Sequence, residues 1–435
     1  MASFRSASSL RLRQGVPAIQ KRSAHDLVIQ HKPSPSGATP ARAIIRHGPP
    51  TGGRSAQNGQ VATVFGCTGF LGRYLVHKLA KQGTQVIVPY RDEDSKRHLK
   101  VMGDLGQIVP LSRRLSELHL PSSYANRSPQ LSQEWDIRNA KQIEECVRHS
   151  DVVYNLTSRD WETRNFTYSD VNVTGAELIA KVSRDVGVPR FVHVSHLNAA
   201  PDSASEFYRT KYEGERRVRD AFGRDATIVR PGPLFGAEDW LLNGIASYPT
   251  LFHLNNGQTR TRPAHVLDVA EALNVMLNAP RTSDGATFAL PGPRTYTHAS
   301  LVALVGAMTL KSHAAPNLPK PVAMAIATVL NRALWWPTVS PDEVVRKYID
   351  DAGAEVGPVN DGVPEGWAQQ TDAAIASARG IDGEPVKGWE ELYIDPETIE
   401  EHAIKYLRRF RSAATFDAPV ELGSFKAPKT YHVVE

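Results

Sequence analysis

From Val61 onward, short apolar runs alternate with longer stretches in which apolar residues recur at helical spacing. Short runs bounded by turn-forming residues are typical of buried strands, and the helical spacing is typical of amphipathic helices. The predicted strands are Val61–Phe65, Thr84–Pro89, Gln107–Pro110, Asp151–Leu156, Arg190–Ser195 and Ala226–Arg230. The predicted helices are Phe70–Gln82, Asn139–His149, Val171–Val186 and Glu206–Phe222. Strands that alternate with helices indicate βαβ units, so we expect an α/β protein with a Rossmann-type, doubly wound parallel sheet.

The pattern becomes less regular after Pro231. A helix over His265–Asn278, a strand over Ala286–Leu290 and a helix over Ser300–Thr309 predict a smaller, irregular α/β region spanning residues 233–345. Residues 346–435 are punctuated by proline and contain one clear helix near Glu397–Arg411. For these residues we expect an extended interaction tail.

Three local patterns refine this organisation. The polar, proline-containing stretch Leu111–Gln133 predicts a surface insertion, and Ser340 followed by Pro341 and Glu343 predicts a capped helix start. Lys320–Trp336 predicts an amphipathic helix, but its uncharged part is shorter than the roughly 20 residues that span a bilayer. Its paired tryptophans suit a membrane interface, whereas a helix buried against the domain explains the pattern equally well.

The composition narrows the class of protein. Of the 435 residues, 41% are hydrophobic and 22% are charged, which excludes a disordered chain, a collagen and a typical multi-pass membrane protein. Two cysteines, Cys67 and Cys146, exclude a disulfide scaffold. The net charge is +5, but residues 1–54 carry +8 and the remainder carries −3. A nucleic-acid partner is therefore not expected, since its basic residues would lie on the folded surface.

The amino-terminal segment differs in composition from the rest. Residues 1–25 are rich in Ser, Ala and Arg and contain no acidic residue, which favours a mitochondrial transit peptide over a disordered basic tail. Residues 26–60 contain a Pro/Gly/Ser-rich stretch and predict a linker or extended arm. The dinucleotide-binding domain is then expected over residues 61–232.

The first predicted strand ends in a glycine loop, Gly66-Cys-Thr-Gly69-Phe-Leu-Gly72, that opens a helix. Glycines in this context permit a tight turn and let backbone N–H groups at a helix N-terminus approach a pyrophosphate. We expect this loop to bind the cofactor through Gly66, Thr68, Gly69, Phe70, Leu71 and Gly72. We interpret Cys67 as a small filler of the loop and not as a redox thiol.

The residue after the second strand bears on the choice of cofactor. An NAD site places Asp or Glu there, on the ribose hydroxyls, whereas this chain has Arg91, which suits a 2′-phosphate. Three acidic residues follow directly, Asp92, Glu93 and Asp94. They count against a 2′-phosphate at this position unless they begin a solvated turn. The balance favours NADP(H) over NAD(H).

Several motifs resemble those of the extended and atypical short-chain dehydrogenases. These are the glycine spacing, Asn155 at the end of the fourth strand, Asn172 in Val-Asn-Val-Thr-Gly, and Lys211 before Gly214-Glu215. Three longer strings are similar to the nucleotide-binding accessory subunits of mitochondrial complex I, of the alpha subcomplex subunit 9 type, especially in their fungal form. The strings are Arg159–Phe166, Phe191–Ala199 and Glu213–Phe222.

This resemblance, which runs from about Val61 to Thr430, has several implications. It implies a peripheral protein on the matrix side of the mitochondrial inner membrane, where the peripheral and membrane arms of complex I meet near the quinone site. Its partners would be subunits of both arms, with Lys320–Trp336 meeting them or the lipid surface. It would hold one NADP(H), as NADPH, without turning it over. The resemblance adds Asn155, Leu156, Ser195, Lys211 and Pro231 to the expected cofactor-binding residues.

An active short-chain dehydrogenase needs Tyr-x-x-x-Lys on one helix face, so that the lysine lowers the pKa of a proton-donating tyrosine. With Lys211 as the lysine, the tyrosine position holds Phe207, which has no titratable proton. The neighbouring Tyr208 is rotated by about 100° around the helix. Ser195 is interpreted as a remnant of the substrate-orienting position, and His196 as a structural histidine. We therefore expect no catalytic residue.

Two alternatives remain open. One is an active NADP-dependent reductase or epimerase that uses Tyr208, and the other is a nucleotide-sensing regulator of the same fold. A metal site is not expected, because the fifteen histidines are scattered without ligand spacing.

Overall fold

The computed structural model describes residues 58–111, 135–248, 252–311, 316–333, 340–354, 380–417 and 420. It also describes the backbone of two short antiparallel pairs, Val28–Gln30 with Ile44–Arg46 and Arg113–Arg114 with Ser132–Gln133. The predicted transit peptide, Trp335, Trp336 and most of the predicted insertion lie outside the described residues.

Within the described residues, the main sheet has eight strands, all parallel. They are β1 Val61–Phe65, β2 Gln85–Pro89, β3 Ile108–Leu111, β4 Val152–Asn155, β5 Arg190–Val194, β6 Thr227–Pro231, β7 Thr287–Leu290 and β8 Val386–Lys387. Their spatial order is 3-2-1-4-5-6-7-8. The strand order reverses at β1, which is where doubly wound sheets bind their ligands. The predicted α/β, Rossmann-type fold is confirmed.

Helices cover both faces of this sheet. The main helices are α1 Phe70–Lys81, α2 Ala140–Val147, α3 Ala176–Val186, α4 Glu206–Phe222, α5 Leu241–Ser247, α6 Val266–Asn278, α7 His298–Thr309, α8 Lys320–Ala333, α9 Pro341–Arg346 and α10 Ile399–Leu407. On one face, α1 and α6 pack on strand residues such as Val64, and on the other α2, α3 and α4 pack on residues such as Phe65. Burial on both faces explains why the strands are continuous apolar runs.

An irregular helical turn precedes α3 and packs closely against α4. A π-helical turn, Asp170–Gly175, precedes α3, so the predicted helix over Val171–Val186 is α-helical only from Ala176. The backbone of Asn172 in this turn lies so close to Gly214 of α4 that a Cβ at residue 214 would overlap the Asn172 carbonyl oxygen. The glycine therefore permits the close approach of α4 to the π-helical turn.

The carboxyl-terminal region forms its own core. Side chains of α5, α7 and α10 pack together, including Leu242, Leu301 and Ile399. Short strand pairs join it to the sheet domain: Leu234–Phe235 with Ala264–His265, and Arg260–Thr261 with Tyr296–Thr297. Brief helical turns occur at Asp94–Lys96, Arg97–Lys100, Asn255–Gly257, Pro280–Ser283, Glu390–Leu392, Arg408–Phe410 and Ala413–Thr415.

Residues 380–417 differ from the predicted tail, because they are built into the fold. β8 pairs with β7 at the edge of the main sheet, and α10 packs in the core with α5 and α7. A strand of two residues is too short to show a periodic pattern, so the sequence did not predict β8. α5, with seven residues, was missed for the same reason.

The predicted amphipathic helix is α8, which buries Ala323 and Ala327. Its other face exposes Val322, Ile326 and Val329, whose relative accessibilities are 46%, 47% and 65%. Among the described residues, none of the helices combines the length and the apolar character that a membrane span requires. The predicted cap of α9 is confirmed, since the Ser340 side chain accepts a hydrogen bond from the Glu343 N–H.

Candidate dinucleotide site

The predicted cofactor-binding residues gather at the carboxyl edge of the sheet. Gly66 follows β1, Arg91 comes two residues after β2, Asn155 ends β4, Ser195 follows β5 and Pro231 ends β6. The carboxyl ends of parallel strands meet at one edge, so residues scattered over the chain share one crevice.

The glycine loop has the close packing that its spacing predicts. Gly66 has a φ of +80°, and a Cβ there would lie 2.9 Å from the Leu156 carbonyl carbon. A Cβ at Gly72 would overlap the Gly66 carbonyl oxygen. The Gly69 N–H donates to that same oxygen at 3.1 Å, which closes the turn. α1 then begins at Phe70 without a side-chain cap at Gly69, so its N-terminus is suited to an anion.

The other loop residues are held by the fold. The Thr68 carbonyl accepts from Arg73 Nε at 3.2 Å, and Leu71 turns its side chain into the core. Phe70 packs edge-on against Tyr74. Cys67 is buried and donates its thiol to the Pro89 carbonyl, and burial raises its pKa to about 12, as suits a filler and not a redox thiol.

Two arginines follow strands at this edge of the sheet, Arg91 after β2 and Arg159 after β4. Burial lowers the pKa of Arg159, and the charge of Arg91 contributes to this shift. The acidic residues after Arg91 turn to local partners. Asp92 accepts from the backbone N–H and the hydroxyl of Ser95, and Glu93 pairs with Lys96.

Asn155 is fully buried, and its side chain acts within the fold. Its Oδ1 accepts from the Thr157 N–H at 3.1 Å, and its Nδ2 lies 3.2 Å from His193 Nδ1. The Leu156 N–H donates to the Phe65 carbonyl. Asn155 thus positions the loop after β4 through its side chain. Burial, with the nearby charge of Lys211, lowers the pKa of His193 to about 3, so this histidine is neutral.

Ser195 and Lys211 form the polar floor of the crevice. Both are buried, and Lys211 Nζ lies 3.4 Å from the Val194 carbonyl oxygen to which it donates. Within the described residues, the buried Ser195 Oγ has no hydrogen-bond partner. A buried hydroxyl without a partner costs free energy, which a bound ligand would relieve. Burial lowers the pKa of Lys211 to about 8.

Phe207 is the residue that the sequence predicts at the position of the catalytic tyrosine. Lys211 Nζ lies 5.8 Å from the centre of the Phe207 ring, as expected for residues four apart on one helix face. The ring also packs edge-on against Tyr168 at 5.8 Å and is covered by the Arg346 guanidinium at 4.7 Å. A phenyl ring therefore fills the space beside the lysine.

Tyr208 points to different partners. Its ring packs on His196 at 4.9 Å. Burial, together with the charge of Asp351, raises the pKa of Tyr208 to about 12. His196 accepts at Nδ1 from the Asn198 N–H, and burial lowers its pKa to about 3. Neither group is tuned to transfer a proton near neutral pH.

A carboxyl-terminal segment, residues 340–354, packs on the loop after β5 and on the start of α4. Asp351 is buried and accepts from Asn198 Nδ2 and from the Arg262 N–H, both at 2.8 Å. Asp342 accepts from Ser205 Oγ and the Glu206 N–H and so caps α4 from outside that helix. Ile349 packs on the cluster of buried aromatic rings that includes Phe207. In this chain, its own residues fill the space above Phe207 and Tyr208.

Sequence reasoning missed Arg159 and this covering segment. Arg159 begins one of the strings that carried the family resemblance, but no spacing rule links it to Arg91. The capped start of α9 was visible, yet nothing local indicates that Asp342 reaches α4, 136 residues away in sequence.

Comparisons with known proteins identify the family to which the chain belongs. The model of the NAD dependent epimerase/dehydratase family matches residues 62–290. The mitochondrial NADH-ubiquinone oxidoreductase 40 kDa subunit of Neurospora crassa is 41% identical over 400 residues, covering 92% of this chain and 90% of that protein. The mitochondrial NADH dehydrogenase (ubiquinone) 1 alpha subcomplex subunit 9 of Rattus norvegicus is 36% identical over 386 residues, covering 87% of each chain.

Among solved structures, UDP-glucuronic acid 4-epimerase from Bacillus cereus is similar, with a TM-score of 0.47 and 16% identity over 66% of this chain and 97% of that one. The family match spans more than half of the chain, and the mitochondrial relatives match almost all of it. The chain therefore belongs to the NAD dependent epimerase/dehydratase family and, within it, to the mitochondrial complex I subunits of the 40 kDa and alpha subcomplex subunit 9 type.

Proposed function

We propose that this chain is a non-catalytic, NADP(H)-binding subunit of mitochondrial complex I. It binds one nucleotide, as NADPH, and the bound nucleotide stabilises the folded subunit by mass action. The subunit supports the assembly and stability of the complex, peripheral to the inner membrane on its matrix side, at the junction of the two arms near the quinone site. Its named relatives are mitochondrial subunits of the same oxidoreductase, which supports the assembly role.

The residues present fit a dinucleotide. The glycine loop admits a pyrophosphate at the N-terminus of α1, because Gly66 and Gly72 leave no room for side chains. Lys211 would donate to the hydroxyls of the nicotinamide ribose, and the ligand would give Ser195 Oγ a hydrogen-bond partner. When bound, a reduced nicotinamide supplies a hydride. The remaining question is whether this chain can supply the proton that accompanies hydride transfer.

We infer from the position of Phe207 that the chain cannot supply this proton. The ring lies where a dehydrogenase tyrosine would exchange a proton with the substrate, within reach of Lys211. A phenyl group has no proton to transfer, and residues 340–354 fill the space that a substrate would need. Hydride transfer from the bound nucleotide would therefore have neither a proton donor nor space for a substrate.

The pair of arginines supports NADP(H) over NAD(H). Arg91 follows β2 and Arg159 follows β4, at the edge of the sheet where a 2′-phosphate would lie, and the charge of Arg91 lowers the pKa of Arg159. Asp92 and Glu93 have local partners, so they do not compete for the ribose hydroxyls.

The alternative of an active reductase or epimerase would require Tyr208 as the acid. Its ring packs on His196, and its pKa, raised by burial and by the charge of Asp351, makes it a weaker acid than free tyrosine. These contacts count against the alternative. It predicts that Tyr208→Phe abolishes an activity while nucleotide binding stays intact.

The contact with lipid or with membrane-arm subunits is proposed for α8. Three apolar side chains, Val322, Ile326 and Val329, lie exposed at i, i+4 and i+7 on one face of this helix. Such a face is suited to an apolar partner or to the membrane interface.

Purification of the native chain under mild conditions tests this function. We expect subunits of both arms of complex I to co-purify, together with about one NADP(H) per chain. A monomeric chain in the cytosol or nucleus would contradict the proposal and would favour a nucleotide-sensing regulator.

A further inference from the structure

Far from the glycine loop in sequence, two histidines and a glutamate converge between α6 and α10. His265 precedes α6, Glu397 precedes α10, and His402 lies in the first turns of α10. His265 Nδ1 lies 3.1 Å and His402 Nε2 lies 2.5 Å from the same atom, Glu397 Oε2. The three ligand atoms all lie within 4.8 Å of one another.

We propose that His265, Glu397 and His402 bind a divalent transition-metal ion, Zn²⁺, that fastens α10 to the start of α6. Two imidazoles and one carboxylate are a donor set that zinc accepts. Bond lengths of about 2.0–2.2 Å place two ligand atoms on a tetrahedral ion about 3.3–3.6 Å apart. The observed separations require only small side-chain movements to reach this range.

The surroundings of the three ligands favour an ion. The His265 ring is stacked on the Phe235 ring at 5.0 Å and on the His402 ring at 4.4 Å. Asp268 accepts from the Glu397 N–H at 2.7 Å and so fixes the backbone of one ligand. Asp268 and Glu397 together carry two negative charges when ionised, which balance a divalent cation beside neutral imidazoles.

The three ligand side chains are largely buried, which limits competition from water, but two of them remain partly exposed, so an ion can reach them. The side chain of His265 is 5% exposed, and those of Glu397 and His402 are 19% and 18% exposed. Sequence spacing did not indicate this site, because 132 residues separate His265 from Glu397.

Lys405 is the competing contact. Its Nζ lies 3.1 Å from His402 Nδ1, an arrangement in which Nδ1 accepts and Nε2 donates to Glu397. An ion at Nε2 requires that nitrogen to be deprotonated, so Lys405 must give up the contact. The Lys405 side chain is exposed and free to rotate into solvent. Removing its charge should therefore tighten metal binding, whereas it would weaken a purely hydrogen-bonded cluster.

The test uses the purified full chain after dialysis against a chelator. Zn²⁺ is titrated by calorimetry, and Co²⁺ serves as a spectroscopic probe of the ligand geometry. We expect saturable binding of one ion per chain, at least tenfold weaker binding by His402→Ala and by the more conservative Glu397→Gln, and tighter binding by Lys405→Ala. His77→Ala, at an exposed histidine on α1, is the matched control and should bind as the unmodified chain does.

Circular dichroism of each variant establishes that it is folded, so that lost binding is not lost structure. Absence of one-to-one binding by the unmodified chain would overturn the proposal. So would His402→Ala and Glu397→Gln binding Zn²⁺ as tightly as the unmodified chain, or Lys405→Ala binding it more weakly. Because none of these residues belongs to the dinucleotide site, NADPH binding by the same variants reports separately on the proposed function.

Discussion

Arg91 is the residue whose substitution most directly tests the choice of nucleotide. If its guanidinium pairs with the 2′-phosphate, Arg91→Glu should weaken NADPH binding by about 10- to 100-fold and NADH binding much less, because a charge-assisted hydrogen bond is worth about 1.5–3 kcal/mol. Fluorescence titration of both nucleotides with the purified chain measures the two dissociation constants.

Arg148→Glu provides the control for the change in charge, since Arg148 is exposed beyond α2. It should leave both affinities unchanged. Equal losses for NADPH and NADH in Arg91→Glu would mean that Arg91 does not recognise the phosphate.

Lys211 makes a prediction about pH. Burial lowers its pKa from 10.5 to about 8, so the nucleotide-free chain carries the full cost of a buried cation below pH 8. Between these two values the unfolded chain binds more protons, and the free energy of unfolding rises with pH; above 10.5 the cost is gone. Lys211→Met should be more stable near pH 7, by up to about 3 kcal/mol, and should lack this rise.

Urea denaturation across this pH range measures the effect, with Lys181→Met at an exposed position of α3 as the control. The same dependence on pH in Lys211→Met and the unmodified chain would show that Lys211 is not the titrating group.

At the residue scale, short-range spacing predicted much of the site. The glycine loop and the placement of Phe207 beside Lys211 depend on neighbours within seven residues, and the structure has both. The contacts of Asp351 with Asn198 and of Asp342 with Glu206 depend on how distant segments pack. Such long-range contacts leave no periodic signal in one sequence.

Among the elements, α4 carries Phe207 and Lys211, and a buried ion pair anchors it to β6. Glu215 is fully buried and accepts from Arg230 Nε at 2.9 Å and Nη2 at 2.6 Å. Glu215→Gln leaves the arginine without its counter-charge and should lower the free energy of unfolding by about 3–5 kcal/mol, as measured by chemical denaturation.

A second pair on the same helix offers the comparison. Glu213 pairs with Arg216 at 2.7 Å, but both side chains are partly exposed, so Glu213→Gln should cost less than about 1 kcal/mol. The double variant Glu215→Leu/Arg230→Met should recover much of the lost stability, because it leaves no unpaired charge. A loss in Glu215→Gln no larger than in Glu213→Gln would contradict this account of the anchor.

Element prediction succeeded where segments were long and periodic. The bounds of α4 agree with the predicted Glu206–Phe222, and those of α1 differ by one residue. It failed for β8 and for the path of residues 380–417, which the sequence assigned to a tail. Their place in the fold comes from tertiary pairing and from buried side chains such as Trp389, which donates to the Pro291 carbonyl.

For the whole molecule, the position of the basic residues along the chain is more informative than the net charge of +5. The first 24 residues hold five basic residues and no acidic residue, so their removal on import would bring the chain from +5 to neutrality. This supports mitochondrial delivery, in line with the mitochondrial relatives.

The fate of bound NADPH during turnover of the native complex tests the central claim most directly. The complex is purified, its bound nucleotide is quantified, and the absorbance of the reduced nicotinamide is followed while the complex oxidises NADH and while candidate carbonyl substrates are added. We predict about one NADPH per chain that stays reduced throughout, because Phe207 supplies no proton and residues 340–354 cover the site. Substrate-dependent oxidation of this NADPH at a rate comparable with turnover would contradict the account.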